Sequence, residues 1–440
     1  MNLQEIAHRF LRNAALIVGS RLVFGLLNLA TNALVVKFFG LADLGLVVLL
    51  QAYIRLFSDL IKFDTWQAVL SFGAPLQEKK DDHTFRRLIG FTLSLDIVCL
   101  AVAVIGAILF IPFAIDIFKW PEEVAEFAPY FAISILFLLQ GTPNGVLRYI
   151  DRVDVLAWQF ALNATIRFVG VLLAIIWDGS VFHIVLAWFA ANVLSGLLPM
   201  IFCFLELSAR KLMPIFNVKW REANALFERI WRFMIMTNAS NILTLVYEGG
   251  SVMVAGLLIG PSGAATLQIA KQFAAAISKT NQVLGPLISP EFARLAAMKD
   301  WLLFRKLIKR QLLITFGVLA VLATILFATL GLIIDAIYGA ELSEYLALFQ
   351  LLIFASLFTI VTFSFEPAVL AANRPHYILW LKTAAVALYI ATTALLFAHL
   401  EIYAFGLGFL IAQIFYVSLF SYLGIKLLNK RILETATKSL

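Results

Sequence analysis

On an α-helix, Gln51, Arg55, Asp59 and Lys62 fall at spacings of four, four and three and form one polar stripe on an apolar cylinder. Arginine and lysine in such a stripe offer charge-assisted hydrogen bonds to an anion, and glutamine offers neutral ones to hydroxyls. A second stripe, Gln268, Lys271, Gln272, Lys279 and Gln282, recurs far along the chain. Other charges stand singly in apolar surroundings: Arg21, Arg167 and Lys382, and the acids Asp64, Asp96, Glu248 and Glu366. The pattern speaks for recognition of a charged, hydroxyl-rich cargo. Nothing in it speaks for bond-making. His8, His83, His183, His376 and His399 are scattered without a paired spacing, and Cys99 and Cys203 sit in apolar runs, so neither a metal nor a cofactor is expected. No clustered triad or sizeable outer loop is there to hold a reaction, and the chain reads as no enzyme.

The elements that must position these residues are membrane helices. Of 440 residues, 62% are hydrophobic and 14% charged, a balance that only a bilayer-embedded chain sustains at this length. Apolar runs of spanning length fall at about 14–38, 42–71, 88–113, 125–147, 154–177, 181–206, 232–258, 262–289, 308–337, 342–372, 377–398 and 403–427. The first is longer than a signal h-region and lacks an A-x-A exit, so it is read as a retained helix. With the N-terminus inside, loop lysines and arginines crowd the cytoplasmic side, and the outer loops hold only Lys37 and Lys119. The positive charge is therefore a topology signal, and nucleic acid is not an expected partner. The expected fold is an all-α integral membrane protein of twelve transmembrane helices with both termini cytoplasmic.

A shift of half the length lays Phe39–Leu60 over Ile259–Thr280, with Gly40 on Gly260, Gln51 on Lys271 and Asp59 on Lys279. Six helices per half then make a parallel 6+6 repeat, of the kind whose bundles rock about a central site. The expected division is a six-helix bundle at 1–206, a cytoplasmic interfacial linker at 207–231 and a second bundle at 232–440. Both stripes are expected to face a cavity between the halves. At 1.5 Å per residue, Arg55 and Lys271 lie near the midplane, about 15–20 Å below the outer surface. Arg167 and Glu248 reach similar depth, and Arg21, Asp59 and Lys279 lie nearer the cytoplasm. A buried cation costs about 2.5–3.5 kcal/mol on insertion scales, so each needs a cavity, a partner or an interface to face. Lys271 has no acid at i±3 or i±4.

The segments "GSRLVFGLLNLATNALVVKFFGLADLGLVVLLQAY" (Gly19–Tyr53) and "GTPNGVLRYIDRVDVLAWQFA" (Gly141–Ala161) resemble the polysaccharide flippases, the Wzx-like polysaccharide-transporter branch of the multidrug, oligosaccharidyl-lipid and polysaccharide exporter superfamily. The likeness spans the whole chain and rests on a helix, an FG-x-x-x-x-G turn, a second helix and an LR-x-x-DR turn. It implies a polyprenyl-diphosphate-linked oligosaccharide as cargo, carried from the inner to the outer leaflet of a bacterial cytoplasmic membrane for O-antigen, capsule or exopolysaccharide. A polysaccharide polymerase is then the expected partner. Under this reading Arg21, Arg55, Arg167, Lys271 and Lys279 meet the diphosphate, Gln51, Tyr53, Gln268 and Gln272, with Asn163, face the sugars, and Glu248 and Asp59 are candidates for a coupling proton or cation. The alternative is a multidrug or other small-molecule exporter, which calls for an acidic cavity; the one charge in helix 1 is Arg21.

Plainer roles compete. Arg55 and Asp59 are spaced for an intrahelical pair, and Lys62, Asp64, Lys382 and Glu366 are placed to snorkel. Pro143, Pro286 and Pro367 are candidate hinges. In the linker, Trp220, Leu226, Phe227 and Ile230 are expected on the lipid-facing side of an interfacial helix.

Overall fold

The computed structural model describes residues 3–278 except 119, 121, 139 and 219, then 295, 298, 300–371 and 376–436. Among these, every regular element is helical. The helices are α1 (Leu3–Phe39), α2 (Leu41–Ile61), α3 (Thr65–Glu78), α4 (Asp82–Phe118), α5 (Glu122–Ile133), α6 (Ile135–Leu138), α7 (Gly141–Tyr149), α8 (Val153–Ile176) and α9 (Val181–Ala209). There follow α10 (Ala223–Leu226), α11 (Ile230–Leu245), a π-helical turn (Val246–Gly250), α12 (Ser251–Ile259) and α13 (Pro261–Ser278). The last are α14 (Trp301–Tyr338), α15 (Ala340–Ser343), α16 (Leu346–Ala371), α17 (His376–Leu400) and α18 (Tyr403–Ala436). Among the described residues, eight helices are long and apolar enough to cross a bilayer, or nine if the bent pair Val124–Ile133 and Ile135–Tyr149 forms one span. Their outer faces carry Leu22, Leu109, Ile176 and Leu395 exposed, a surface that hydrocarbon satisfies and water does not.

Two spans differ from their sequence reading by being broken. The run expected at 42–71 stops at Ile61, and α3 starts afresh after the non-helical residues 62–64. The run expected at 125–147 breaks at Ser134 and again before Gly141. Apolar content alone registers neither break, because a broken helix whose ends are buried in protein keeps the same composition.

The turn between α1 and α2 is made at Gly40 with φ +98°, and the turn between α12 and α13 at Gly260 with φ +98°. Both lie in a region that a side chain resists. The 220-residue overlay thus pairs two glycines of one backbone conformation, each opening the helix that carries a polar stripe.

The chain forms two compact units, Met1–Ala264 and Ala265–Leu440. In the first, α8 lies between α1 and α9, and α11 and α12 pack on α2. One hydrophobic core of this unit gathers Phe85, Phe91, Val146, Phe227, Ile230 and Met234. In the second, α18 packs against both α16 and α17 around Phe304, Ile308 and Phe420.

The linker departs from expectation. Residues 212–218 are irregular and dock on the start of α4: Arg86 Nε donates to the Met213 carbonyl at 2.8 Å, Ile215 N–H donates to the Arg86 carbonyl at 3.0 Å and Arg87 Nε donates to Asn217 Oδ1 at 3.1 Å. Phe227 and Ile230 are buried in the protein core rather than turned to lipid, and only Trp220 keeps an exposed ring.

Candidate functional site

α8 carries Gln159, Asn163 and Arg167 at successive spacings of four, a polar ridge on an apolar helix. Each meets a partner in the first unit. Gln159 Nε2 donates to Gln140 Oε1 at 2.6 Å, Asn163 Nδ2 donates to Ser195 Oγ at 3.0 Å, and Arg167 Nη2 donates to Asn192 Oδ1 at 3.1 Å. Asn192 in turn donates through Nδ2 to Gln51 Oε1 at 3.3 Å, which ties α9 to the stripe of α2. The Arg167 guanidinium lies 5.2 Å from the centroid of the Trp188 ring and is only 7% exposed. Its Nε and the Nε2 of Gln51 are both buried with no hydrogen-bond partner among the described residues. Two donors thus remain unspent in a cationic spot, where an unmet polar group costs about 1–3 kcal/mol.

Arg55 stands exposed on α2 and close enough to Arg167 for the two charges to repel. The intrahelical Arg55–Asp59 pair does not form. Asp59 is held instead by Lys62, one turn on, and among the described residues no carboxylate lies within 4.0 Å of Arg55 or Arg167. A second pair of cations repeats the arrangement: Arg21 sits 5.7 Å from the Phe160 ring, Arg148 sits 4.3 Å from the Trp66 ring, and the two act on each other electrostatically. Neither has a carboxylate partner among the described residues. Arg148 and Asn192 escape a sequence reading. Arg148 stands at a span's end and passes for a loop charge, and Asn192 is a lone polar residue until α8 is folded against it; the four-residue ridge on α8 was the signal available.

The other sequence candidates divide. Tyr53, expected to face sugars, is 1% exposed, donates its hydroxyl to the Ala107 carbonyl and packs edge-on to Trp120, so it belongs to the contact of α2 with α4. Asn163 spends its amide on Ser195. Asp59 is paired with Lys62, which removes the open carboxyl expected of a coupling group. Asp64, expected to snorkel, is buried at the α2–α3 break, where Asn241 Nδ2 and Gln67 Nε2 donate to it. Glu248 stands exposed on the π-helical turn, a local irregularity that often marks functional positions in helices. In the second unit Gln268, Lys271 and Gln272 lie half-buried on α13. Lys279, Gln282 and Pro286 lie outside the described residues. Pro143 falls in the first turn of α7, where its missing N–H costs nothing.

This arrangement, all-helical with cations set between its spans, is that of a multi-pass membrane protein. Residues 10–294 match the model of the polysaccharide biosynthesis protein family, and the chain belongs to that family. It is 30% identical over 295 residues to the inner membrane protein YghQ of Escherichia coli (strain K12), a match covering 67% of this chain and 83% of that one. Solved structures share the fold at low identity. An inward-facing multidrug resistance MATE family transporter of the MOP superfamily superposes with TM-score 0.74 at 14% identity, over 93% of this chain and 95% of its own. The lipid II flippase MurJ, in an inward closed conformation, superposes with TM-score 0.67 at 15% identity, over 96% and 91%.

Proposed function

We propose that this chain flips a polyprenyl-diphosphate-linked oligosaccharide from the inner to the outer leaflet of a bacterial inner membrane by alternating access, for the assembly of O-antigen, capsule or exopolysaccharide. The observation that carries the reading is the pairing of cations without carboxylates, Arg55 with Arg167 and Arg21 with Arg148. Two arginines that repel each other cost folding free energy, and a diphosphate placed between them reverses the sign by accepting charge-assisted hydrogen bonds. Among the described residues Arg167 Nε has no acceptor. The family match and the fold shared with a lipid II flippase support the same cargo class. In this reading the chain crosses the membrane twelve times with both termini in the cytoplasm, Lys271 and Lys279 serve from the second half, no covalent bond is made, and a polysaccharide polymerase receives the cargo.

The multidrug transporter fold favours a second reading, export of a small molecule. The electrostatics oppose it for cationic drugs, which the arginine pairs would repel. Proteoliposomes holding a fluorescent polyprenyl diphosphate saccharide separate the two. Loss of leaflet protection from a membrane-impermeant quencher, in the wild-type protein only, supports flipping. Efflux of an organic cation without movement of the lipid would overturn it.

A further inference from the structure

Asp96 lies midway along α4, 7% exposed, where the starts of two short helices meet. The Thr65 hydroxyl, first residue of α3, donates to its Oδ1 at 2.7 Å, and the Thr142 backbone N–H, in the first turn of α7, donates to its Oδ2 at 2.7 Å. The fit is close. A Cβ on Gly141 would fall 1.9 Å from Thr65 Oγ1 and 3.0 Å from Asp96 Oδ1, so glycine alone lets the carboxylate reach both helices. The breaks that start α3 and α7 are thus held by one acceptor. Both helix N-termini turn their partial positive charge toward it.

No cation among the described residues shares the site. Among the described residues Asp96 has no polar partner beyond Thr65 and Thr142. Of the elements packed on α4, α6 and α12 bear no ionisable side chain. Glu78 on α3, Arg148 and Tyr149 on α7, Asp43, Tyr53, Arg55 and Asp59 on α2, and Glu122, Glu126 and Tyr130 on α5 make no bond to it. Asp64, beside Thr65, is occupied by Asn241 and Gln67. On α4 itself the Cys99 thiol, one turn away, feels its charge. One more group is aimed there: the Thr142 side chain lies beside the carboxylate and adds to the hold of its backbone N–H.

We propose that Asp96 is a proton-binding site whose occupancy decides whether α3 and α7 are tethered to α4, and that this proton is the coupling ion of transport. Ionised, the carboxylate accepts from both helices. When a proton from the aqueous side binds one oxygen, that oxygen becomes a donor and the donor that faced it loses its bond, while the bond to the other oxygen falls from a charge-assisted one to a weaker neutral one, so the hold on both helices slackens. A metal cation is a poor occupant, because N–H and O–H donors already point at both oxygens. The proton leaves to water when the tether re-forms.

What the proton drives rests on the transporter reading above; whether it binds does not, so the test needs no cargo. The full-length protein in nanodiscs is followed by hydrogen–deuterium exchange of peptides spanning 65–70 and 141–146, corrected for the intrinsic pH dependence of exchange. The wild type should exchange at least about tenfold faster at pH 5 than at pH 8, Asp96→Asn should lose the step, and Asp96→Glu should keep one. Flat exchange in the wild type, or the same step in Asp96→Asn, would overturn the proposal. If Asp96→Asn does not fold, Thr65→Val removes one donor to the charged form and should move the midpoint upward by about one to two pH units. An unmoved midpoint sinks the idea.

Discussion

Replacing Arg55 by Glu should strengthen the protein while stopping its transport. In the folded chain Arg55 repels Arg167 and has no carboxylate of its own among the described residues. A glutamate at that position ends the repulsion and puts an anion beside a buried guanidinium whose Nε is unsatisfied. Because position 55 is exposed, the pair is worth only about 0.5–1 kcal/mol. Transport moves the other way. A diphosphate loses at least one charge-assisted hydrogen bond of about 1.5–3 kcal/mol, so uptake into the transition state falls roughly 10- to 150-fold, and repulsion by the new carboxylate adds to that. Stability is read as the thermal midpoint of the detergent-solubilised protein, and transport as lipid-linked oligosaccharide left on the cytoplasmic face of cells with matched expression. A variant that is destabilised and inactive would mean Arg55 is structural. One that is stabilised and fully active would mean the arginine pair binds no anion, and the cargo assignment would then rest on family membership alone.

At Lys271, retention of charge should matter more than shape: Lys271→Arg keeps much of the transport, Lys271→Ala loses most and Lys271→Glu loses all, at equal membrane levels; tolerance of Ala with damage by Arg would instead mark a packing role. Reporter fusions after Asp81 and Asn217 should report cytoplasm and those after Asp178, Gly260 and Glu341 the outside, and an outside signal at Asn217 would refute the twelve-span orientation. Outside the spans, Asp81 accepts the Thr84 backbone N–H at 3.0 Å, and that bond, with the Thr84 hydroxyl, His83 and Lys79, holds its carboxyl below the ordinary value. Its support for the start of α4 is therefore complete above the unfolded-state value and fades as pH falls below about 4, so amide exchange at 82–85 should rise there in the wild type and lack that rise in Asp81→Asn.

The sequence by itself determined what a bilayer dictates locally. Spanning length, an excess of loop cations on one side and the turn glycines Gly40 and Gly260 are written residue by residue, because each answers to its own stretch of hydrocarbon, headgroup or backbone. The stripe of α2 was equally legible, since a period of four needs no partner to be seen. What each polar residue faces was not. Tyr53 looked like a cavity residue and packs on α4, Asp59 looked open and pairs with Lys62, and Phe227 and Ile230 looked lipid-bound and are buried in protein. Arg148 and Asn192 became candidates only when α7 met α3 and α9 met α8. Asp96 shows the limit most plainly: its sequence neighbours are all apolar or small, and its partners stand 31 and 46 residues away on two other helices. Hydropathy reports that a charge lies in the membrane. Which donors meet it depends on where helices break and cross, a property of packing among distant segments that no single window of sequence contains.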